Sequence, residues 1–239
     1  MPDARGRIVI LTGAGISRES GLATFRDADG IWAQVRLEDV ATPEAFTRDP
    51  ARVQAFYNAR RRGLLDSAIQ PNAAHRALAR LERAYPGEVL LVTQNVDDLH
   101  ERAGSRNLLH MHGALRQARC LRCANVHAWD DDIGATTPCP ACGAAALRPN
   151  VVWFGEMPFF MAEIEAALDA CTLFAAIGTS GQVYPAAGFI NRVAGRARTV
   201  ELTLEPSAVS PLFDDVRHGP ASVTVPLFVE RLLAAGGEM

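Results

Sequence analysis

Residues 7–17 read Arg7-Ile8-Val9-Ile10-Leu11-Thr12-Gly13-Ala14-Gly15-Ile16-Ser17, a short apolar run that breaks into a glycine-rich turn. An unalternating run of aliphatic residues is the pattern of a strand buried on both faces, as in a parallel sheet. Glycines directly after such a strand are how a doubly wound α/β sheet commonly begins. Working outward, Val89–Thr93 repeats the pattern, and further strands are expected at Asn107–Met111, Leu173–Ile177 and Thr199–Leu204. Helical stretches at Asn72–Tyr85 and Ala162–Ala170 fall between them, and strands alternating with helices give an α/β core. Two segments interrupt the alternation. Residues 30–70 are helical and mixed in polarity, and residues 116–147 show little periodic pattern.

The chain has 239 residues, of which 49% are hydrophobic and 21% charged, a globular balance that excludes disorder and collagen-like repeats. A net charge of −3 gives no electrostatic footprint for nucleic acid or an anionic membrane surface. The longest apolar stretches, near Val151–Phe154 and Leu173–Ile177, fall far short of the ~18 residues a membrane span needs. The run Arg7–Leu11 is too short for the apolar region of a signal peptide, so a cytoplasmic location is expected. Four of the five cysteines form Cys120-x2-Cys123-x15-Cys139-x2-Cys142. In a reducing compartment, paired knuckles at that spacing read as a closed tetrahedral zinc site with a structural role. Cys171, alone in an apolar context, reads as a small buried hydrophobe. The expected architecture is α/β. Residues 1–29, 71–115 and 148–239 would form a Rossmann-like parallel-sheet domain, with 30–70 as a helical and 116–147 as a zinc-binding insertion building a smaller module.

The chemistry-bearing residues each admit two readings. Gly13 and Gly15 can expose N–H groups to a pyrophosphate or simply form a tight loop. The third glycine of the G-x-G-x-x-G fingerprint is replaced by Arg18, which disfavours an ordinary dehydrogenase. Gly21-Leu22-Ala23-Thr24-Phe25-Arg26-Asp27 continues this loop, and Gln94-Asn95-Val96-Asp97 follows the second strand, where open α/β sheets bind ligands. Asn95 and Asp97 can hold ribose hydroxyls or a carboxamide, or cap a helix. His110 and His112 stand at strand spacing and are expected to face one side. Either suits a general base near neutral pH or a structural role, and the residues alone do not choose. Asp49-Pro50 opens a helix whose inner stripe is Val53, Phe56, Tyr57, Arg60 and Leu64, with Arg61 and Arg62 expected to point elsewhere. Arg60 then either snorkels or pairs internally, or joins the Tyr57 phenol in facing an acidic ligand.

Taken in order, these blocks resemble the sirtuins, NAD-dependent protein-lysine deacylases. The blocks are Gly13-Ala14-Gly15-Ile16-Ser17, Thr24-Phe25-Arg26, Gln94-Asn95-Val96-Asp97, His112-Gly113, the cysteine quartet, Val151-Val152-Trp153-Phe154-Gly155-Glu156 and Gly178-Thr179-Ser180. The resemblance runs from about Arg7 to Leu232, and Tyr57-x-x-Arg60 with Ala41 resembles the branch that removes malonyl, succinyl or glutaryl groups. It implies NAD as co-substrate, one structural Zn2+, acylated lysines of proteins as substrates, and no membrane or nucleic-acid partner. It implies that Gly13 to Trp32 wraps the cofactor, with Ile16, Ser17, Glu19 and Thr24 along the way and Phe25 and Arg26 over the reacting ribose. By the same resemblance Gln94, Asn95, Val96 and Asp97 line the ribose and nicotinamide pocket. Gly178, Thr179 and Ser180 hold the adenosine side, together with Thr203, Leu204, Glu205 and Ala221. It makes His112, with Asn95, catalytic, and sets Val152, Trp153, Phe154 and Gly155 along the substrate peptide. Thr203 departs from the family, which usually carries asparagine there. Two other readings remain at this point: an NAD-binding oxidoreductase with a structural zinc, and a non-catalytic zinc-knuckle binding module. Release of free nicotinamide separates the first, and the charge of −3 with intact His112 and Asn95 counts against the second.

Overall fold

The computed structural model describes residues 6–22 and 35–234. In chain order its strands are β1 (Arg7–Thr12), β2 (Glu88–Thr93), β3 (Leu108–His110), β4 (Gly113–Cys120), β5 (Val126–Ala128), β6 (Leu147–Val151), β7 (Leu173–Ile177), β8 (Arg198–Thr203) and β9 (Asp215–His218). The helices are α1 (Leu37–Val40), α2 (Pro43–Arg48), α3 (Pro50–Leu64), α4 (Ala73–Ala84), α5 (Leu99–Ala103), α6 (Met161–Ala170), α7 (Phe189–Val193) and α8 (Ala221–Ala234).

Six strands form one parallel sheet in the order β3-β2-β1-β7-β8-β9. Successive residues of β1 go to opposite layers, as a pleated strand requires. Ile8 and Ile10 pack with Leu78 and Leu81 of α4 and Phe228 and Leu232 of α8, while Val9 and Leu11 pack with Ile164 and Leu168 of α6 and Ile190 of α7. Cys171 lies in that second layer as a buried residue, as expected. The chain leaves β1 toward β2 and β3 on one side and places β7, β8 and β9 on the other. The order therefore reverses between β1 and β7, whose carboxyl ends make the crevice where such sheets bind ligands.

Residues 113–151, read as lacking pattern over 116–147, contain a three-stranded antiparallel sheet, β5-β4-β6. The pattern is hidden because all five residues of β6, Leu147-Arg148-Pro149-Asn150-Val151, are buried, polar ones included. Asn150 Nδ2 donates to Gln117 Oε1 at 2.8 Å, and Arg148 is paired to Glu156, so no alternation is needed to satisfy them. Helices α1 to α3 pack Val40, Val53, Phe56 and Leu64 against Leu115, Val151 and Trp153. The start of α3 is as read: Asp49 accepts from the Arg52 N–H at 3.0 Å and Pro50 takes the first position.

Arg61 leaves the apolar stripe of α3 as expected, yet not for solvent. Arg61 points inward and is 0% exposed. Gln54, Asn58 and Arg61 recur at helical spacing and form a second buried stripe, wholly polar. Gln54 Nε2 donates to Leu147 O at 2.8 Å, Asn58 Nδ2 to Ile133 O at 3.0 Å, and Arg61 Nε to Leu115 O at 2.8 Å. The helix is clamped on both sides, by an apolar face and by side chains that serve the backbone carbonyls of the cysteine-bearing region.

Candidate active site

The glycine turn after β1 meets the loop after β7. Gly13 N–H donates to Ile177 O at 3.0 Å and Gly15 N–H to Gly178 O at 2.9 Å. A Cβ on Gly13 or Gly15 would lie 2.8 Å from Gly178 backbone, and one on Gly178, at φ +62°, would lie 2.5 Å from Ile16 N. These glycines let two loops touch at the switch point, and no side chain could replace them there.

His110 and His112 do not share a strand, because β3 ends at His110 and the chain turns before β4 at Gly113, whose φ is +79°. Their environments differ accordingly. His110 faces acceptors on both nitrogens, Asn95 O from Nδ1 at 3.1 Å and Glu101 Oε1 from Nε2 at 2.7 Å. Both nitrogens must then carry protons. Burial disfavours that cation, but the Glu101 carboxylate and the Asn95 carbonyl outweigh it and hold the pKa above the ordinary 6.5. Among the described residues His112 has one acceptor, Gln94 O, 3.1 Å from Nδ1. A carbonyl only accepts, so Nδ1 carries the proton and Nε2 keeps its lone pair. Burial pushes the His112 pKa below 6.5, against the pull of the Gln94 carbonyl. His112 is a neutral imidazole with an open basic nitrogen.

Beneath them lies a buried polar floor. Asn95 Nδ2 lies 3.2 Å from both Gly13 O and Ser17 Oγ, and Ser17 Oγ donates to Asp97 Oδ2 at 3.0 Å. The other Asp97 oxygen accepts from Leu99 N–H at 3.1 Å, a turn bond just before α5, whose N-cap position is Asp98 and carries no side-chain capping bond. Burial raises the Asp97 pKa, against these two donors. The sequence reading missed His75 and His100. His75 Nδ1 accepts from Asn72 N–H at 3.3 Å and Nε2 faces Ser17 Oγ at 3.4 Å; His100 Nε2 faces Thr12 Oγ1 at 3.0 Å. Burial holds His75 down to about 4 and His100 well below 6.5, so both are neutral. The Asn72-x-x-His75 spacing was the available signal, a capping box at the start of α4.

The remaining residues of the predicted cofactor set are spread around this crevice. Val96 O accepts from Leu115 N–H at 2.8 Å and Ser180 O from Ala208 N–H at 3.1 Å. Thr179 is half-buried beside them, while Leu204 and Glu205 are exposed. Thr203 is buried, and among the described residues its Oγ1 has no partner, an orphaned hydroxyl at the end of β8. Glu19 Oε2 accepts from Ser222 N–H at 2.8 Å, so it ties the glycine-rich loop to the start of α8, next to Ala221. Thr24, Phe25, Arg26 and Trp32 lie outside the described residues.

On α3, Tyr57 is 2% exposed and Arg60, one turn on, is half-buried with its guanidinium 5.7 Å from the Phe56 ring centre. Burial lowers the Arg60 pKa and raises that of Tyr57, while each group's field favours the other's charged form. Ala41 is buried beside them, and its carbonyl accepts from Phe154 N–H at 2.9 Å. Val152 N–H goes to His112 O at 2.9 Å and Trp153 N–H to Glu156 Oε2 at 2.9 Å. Three successive N–H groups of the predicted peptide-binding segment are therefore consumed within the protein. Among the described residues nothing pairs with the Gly155 N–H or the carbonyls of Val152 and Phe154.

Cys120, Cys123, Cys139 and Cys142 converge, with all four Sγ atoms within 4.8 Å of one another and two pairs at 3.7 Å. Tetrahedral zinc with Zn–S near 2.3 Å requires S···S edges of about 3.8 Å, so the quartet fits the ion. Asn125 Nδ2 and His127 Nε2 each reach a sulfur at 3.5 Å, partners that stabilise thiolates.

A parallel sheet with a glycine crevice, a basic histidine beside it and a four-cysteine module defines a nucleotide-dependent enzyme of the sirtuin type. The chain belongs to the Sir2 family, whose model matches residues 13–185. It is 56% identical over 227 residues to an NAD-dependent protein deacylase of Bdellovibrio bacteriovorus, covering 95% of this chain and 96% of the relative. It is 56% identical over 237 residues to one of Escherichia coli K12, covering 98% and 85%. A solved structure described as a Sir2 homolog–NAD complex superposes with a TM-score of 0.86 at 39% identity, covering 96% of this chain and 90% of that one.

Proposed function

We propose that this protein is an NAD-dependent protein-lysine deacylase in which His112 is the base and Tyr57 with Arg60 receives acidic acyl groups. The observation that carries the assignment is the contrast between the two histidines. His112 presents an unprotonated Nε2, whereas both nitrogens of His110 are tied as donors.

NAD supplies an activated nicotinamide–ribose bond, so that the acyl group leaves on ADP-ribose. The residues suit that co-substrate. Gly13, Ala14, Gly15, Ile16 and Ser17 offer a helix-like turn to its phosphates at the switch point. Gly178, Thr179 and Ser180 face it from β7, and the orphaned Thr203 hydroxyl supplies a hydrogen-bonding group where an adenine ribose would lie. His112 Nε2 takes a proton from a ribose hydroxyl and is held in that tautomer by the Gln94 carbonyl. Asn95 is fixed by Gly13 and Ser17, and the buried floor under it excludes water that would otherwise hydrolyse the activated ribose. Gly155 N–H and the Val152 and Phe154 carbonyls are the groups left to pair with the substrate peptide backbone. Residues 1–29, 71–115 and 148–239 thus bind NAD, and 30–70 with 116–147 select the acyl chain and hold the zinc. Zinc takes no part in the chemistry, because four protein thiolates leave no open position.

The protein works in the cytoplasm on acylated proteins and not on nucleic acid. Supporting this, no described helix is long and apolar enough to cross a membrane, the quartet requires reduced thiols, and the net charge is −3. A panel of one peptide carrying acetyl-, malonyl-, succinyl- or glutaryl-lysine tests the reading. The acidic acyl groups should be removed with the lower KM, and equal KM across the panel would overturn the role given to Tyr57 and Arg60.

A further inference from the structure

Trp153 belongs to the segment assigned to peptide binding, yet its side chain points away from solvent and is 2% exposed. Its Nε1 donates to Tyr57 Oη at 3.0 Å. An indole N–H can only donate, so the phenol oxygen is the acceptor. The phenol keeps its own proton, and no described group accepts it. A buried hydroxyl with a filled acceptor side and an unspent proton is a donor waiting for an acceptor.

The indole that imposes this state is held on every side. The Arg148 guanidinium lies 3.3 Å from its ring centre, and the Phe46 ring is tilted against it at 5.2 Å. Glu156 accepts from the Trp153 backbone N–H at 2.9 Å and from Arg148 at 2.7 Å and Arg119 at 3.1 Å, which fixes the segment from which the ring projects.

We infer that Trp153 is a specificity-determining positioning residue, which by occupying the acceptor side of Tyr57 commits the phenol proton to a carboxylate on the acyl chain. The inference deepens the acyl-recognition reading above and rests on it. A neutral acyl tail has no anionic oxygen to receive that proton, so the indole N–H favours malonyl, succinyl and glutaryl groups over acetyl. Trp153 itself touches no reacting atom.

A double-mutant cycle decides it, read as the ratio of kcat/KM on matched succinyl and acetyl peptides. W153F should lower the ratio about 5-fold, mainly through the succinyl KM, the size expected for one neutral hydrogen bond. Y57F should lower it at least as much, and W153F added to Y57F should lower it no further. Benzothienylalanine at position 153 keeps the shape of the indole and replaces N–H by sulfur. It should behave as W153F does, and a wild-type ratio there would show that W153F acts through packing and overturn the inference. A W153F effect that persists in the Y57F background would overturn it too. If Y57F lowers the ratio while W153F leaves it intact, the inference alone fails. If Y57F leaves the ratio intact, the carboxylate reading of the pair fails and takes the inference with it.

Discussion

Arg60→Met and Arg61→Met alter neighbouring residues of one helix and should fail in opposite ways. Arg61 is wholly buried, and its guanidinium donates to Leu115 O at 2.8 Å, Asn58 Oδ1 at 2.9 Å and Asp131 O at 3.1 Å. Methionine fills similar volume but leaves those buried acceptors unpaired. A buried acceptor left without its partner costs about 1–3 kcal/mol, so the three together should cost several kcal/mol, which for a chain of this size lowers Tm by roughly 10 °C. The succinyl-to-acetyl ratio should stay at its wild-type value below the new Tm. Arg60 is the reverse case. Burial disfavours its charge, which offsets part of what its interactions within the fold contribute, so methionine should cost the fold less than it does at position 61. Loss of a charge-assisted hydrogen bond to a substrate carboxylate, about 1.5–3 kcal/mol, should lower the succinyl-to-acetyl ratio roughly 10- to 150-fold. Steady-state kinetics on the two peptides, with a melting curve for each variant, measures both quantities. A loss of stability in Arg60→Met with equal losses on the two peptides would refute the recognition role and make Arg60 a structural ion-pair partner.

Replacing His112 by Ala should reduce deacylation about 10²–10⁴-fold, and the same change at His110 far less; a dead His110 variant beside an active His112 variant would reverse the assignment. Because burial sets the His112 pKa below 6.5 and the base acts unprotonated, kcat/KM should fall as pH drops through a value below 6.5 and stay flat from there to neutrality. His75, held to about 4 and buried neutral, binds its proton only in the unfolded chain near pH 5; its share of stability is complete above about 6.5, and about 3 kcal/mol is lost as pH falls to 4, which urea melts at pH 7 and 5 will show. Metal analysis should find one zinc per chain, and Cys120→Ala should destabilise the quartet region, since metal binding there is folding energy.

The strands at the centre of the parallel sheet could be read from the sequence because they are buried on both faces and carry runs of apolar side chains, broken only at the ends of β1 by Arg7 and Thr12. β7 was placed on its observed bounds, and β1 lies where the apolar run opening residues 7–17 puts it. The edge strand β9, Asp215-Val216-Arg217-His218, escaped because it is polar and half-exposed, with Arg217 paired to Asp215. α8 escaped because Pro226 stands inside it and its exposed face carries Val223 and Leu227, which blurs the helical stripe. The site was legible as residue types but not as states. Nothing in His110-Met111-His112 says that one ring is tied at both nitrogens and the other at one, since that depends on the Asn95 and Gln94 carbonyls and on Glu101, brought in from other elements. The burial of Arg61 went unread for a related reason. A buried arginine satisfied by distant backbone carbonyls has the same letter as one in solvent.

The most direct test of the account is product analysis by mass spectrometry after incubating the protein with NAD and a succinyl-lysine peptide. The account predicts free nicotinamide, unmodified peptide and O-succinyl-ADP-ribose in equal amounts. Free succinate with NAD left intact, or reduced NAD with the acyl-lysine unchanged, would contradict it.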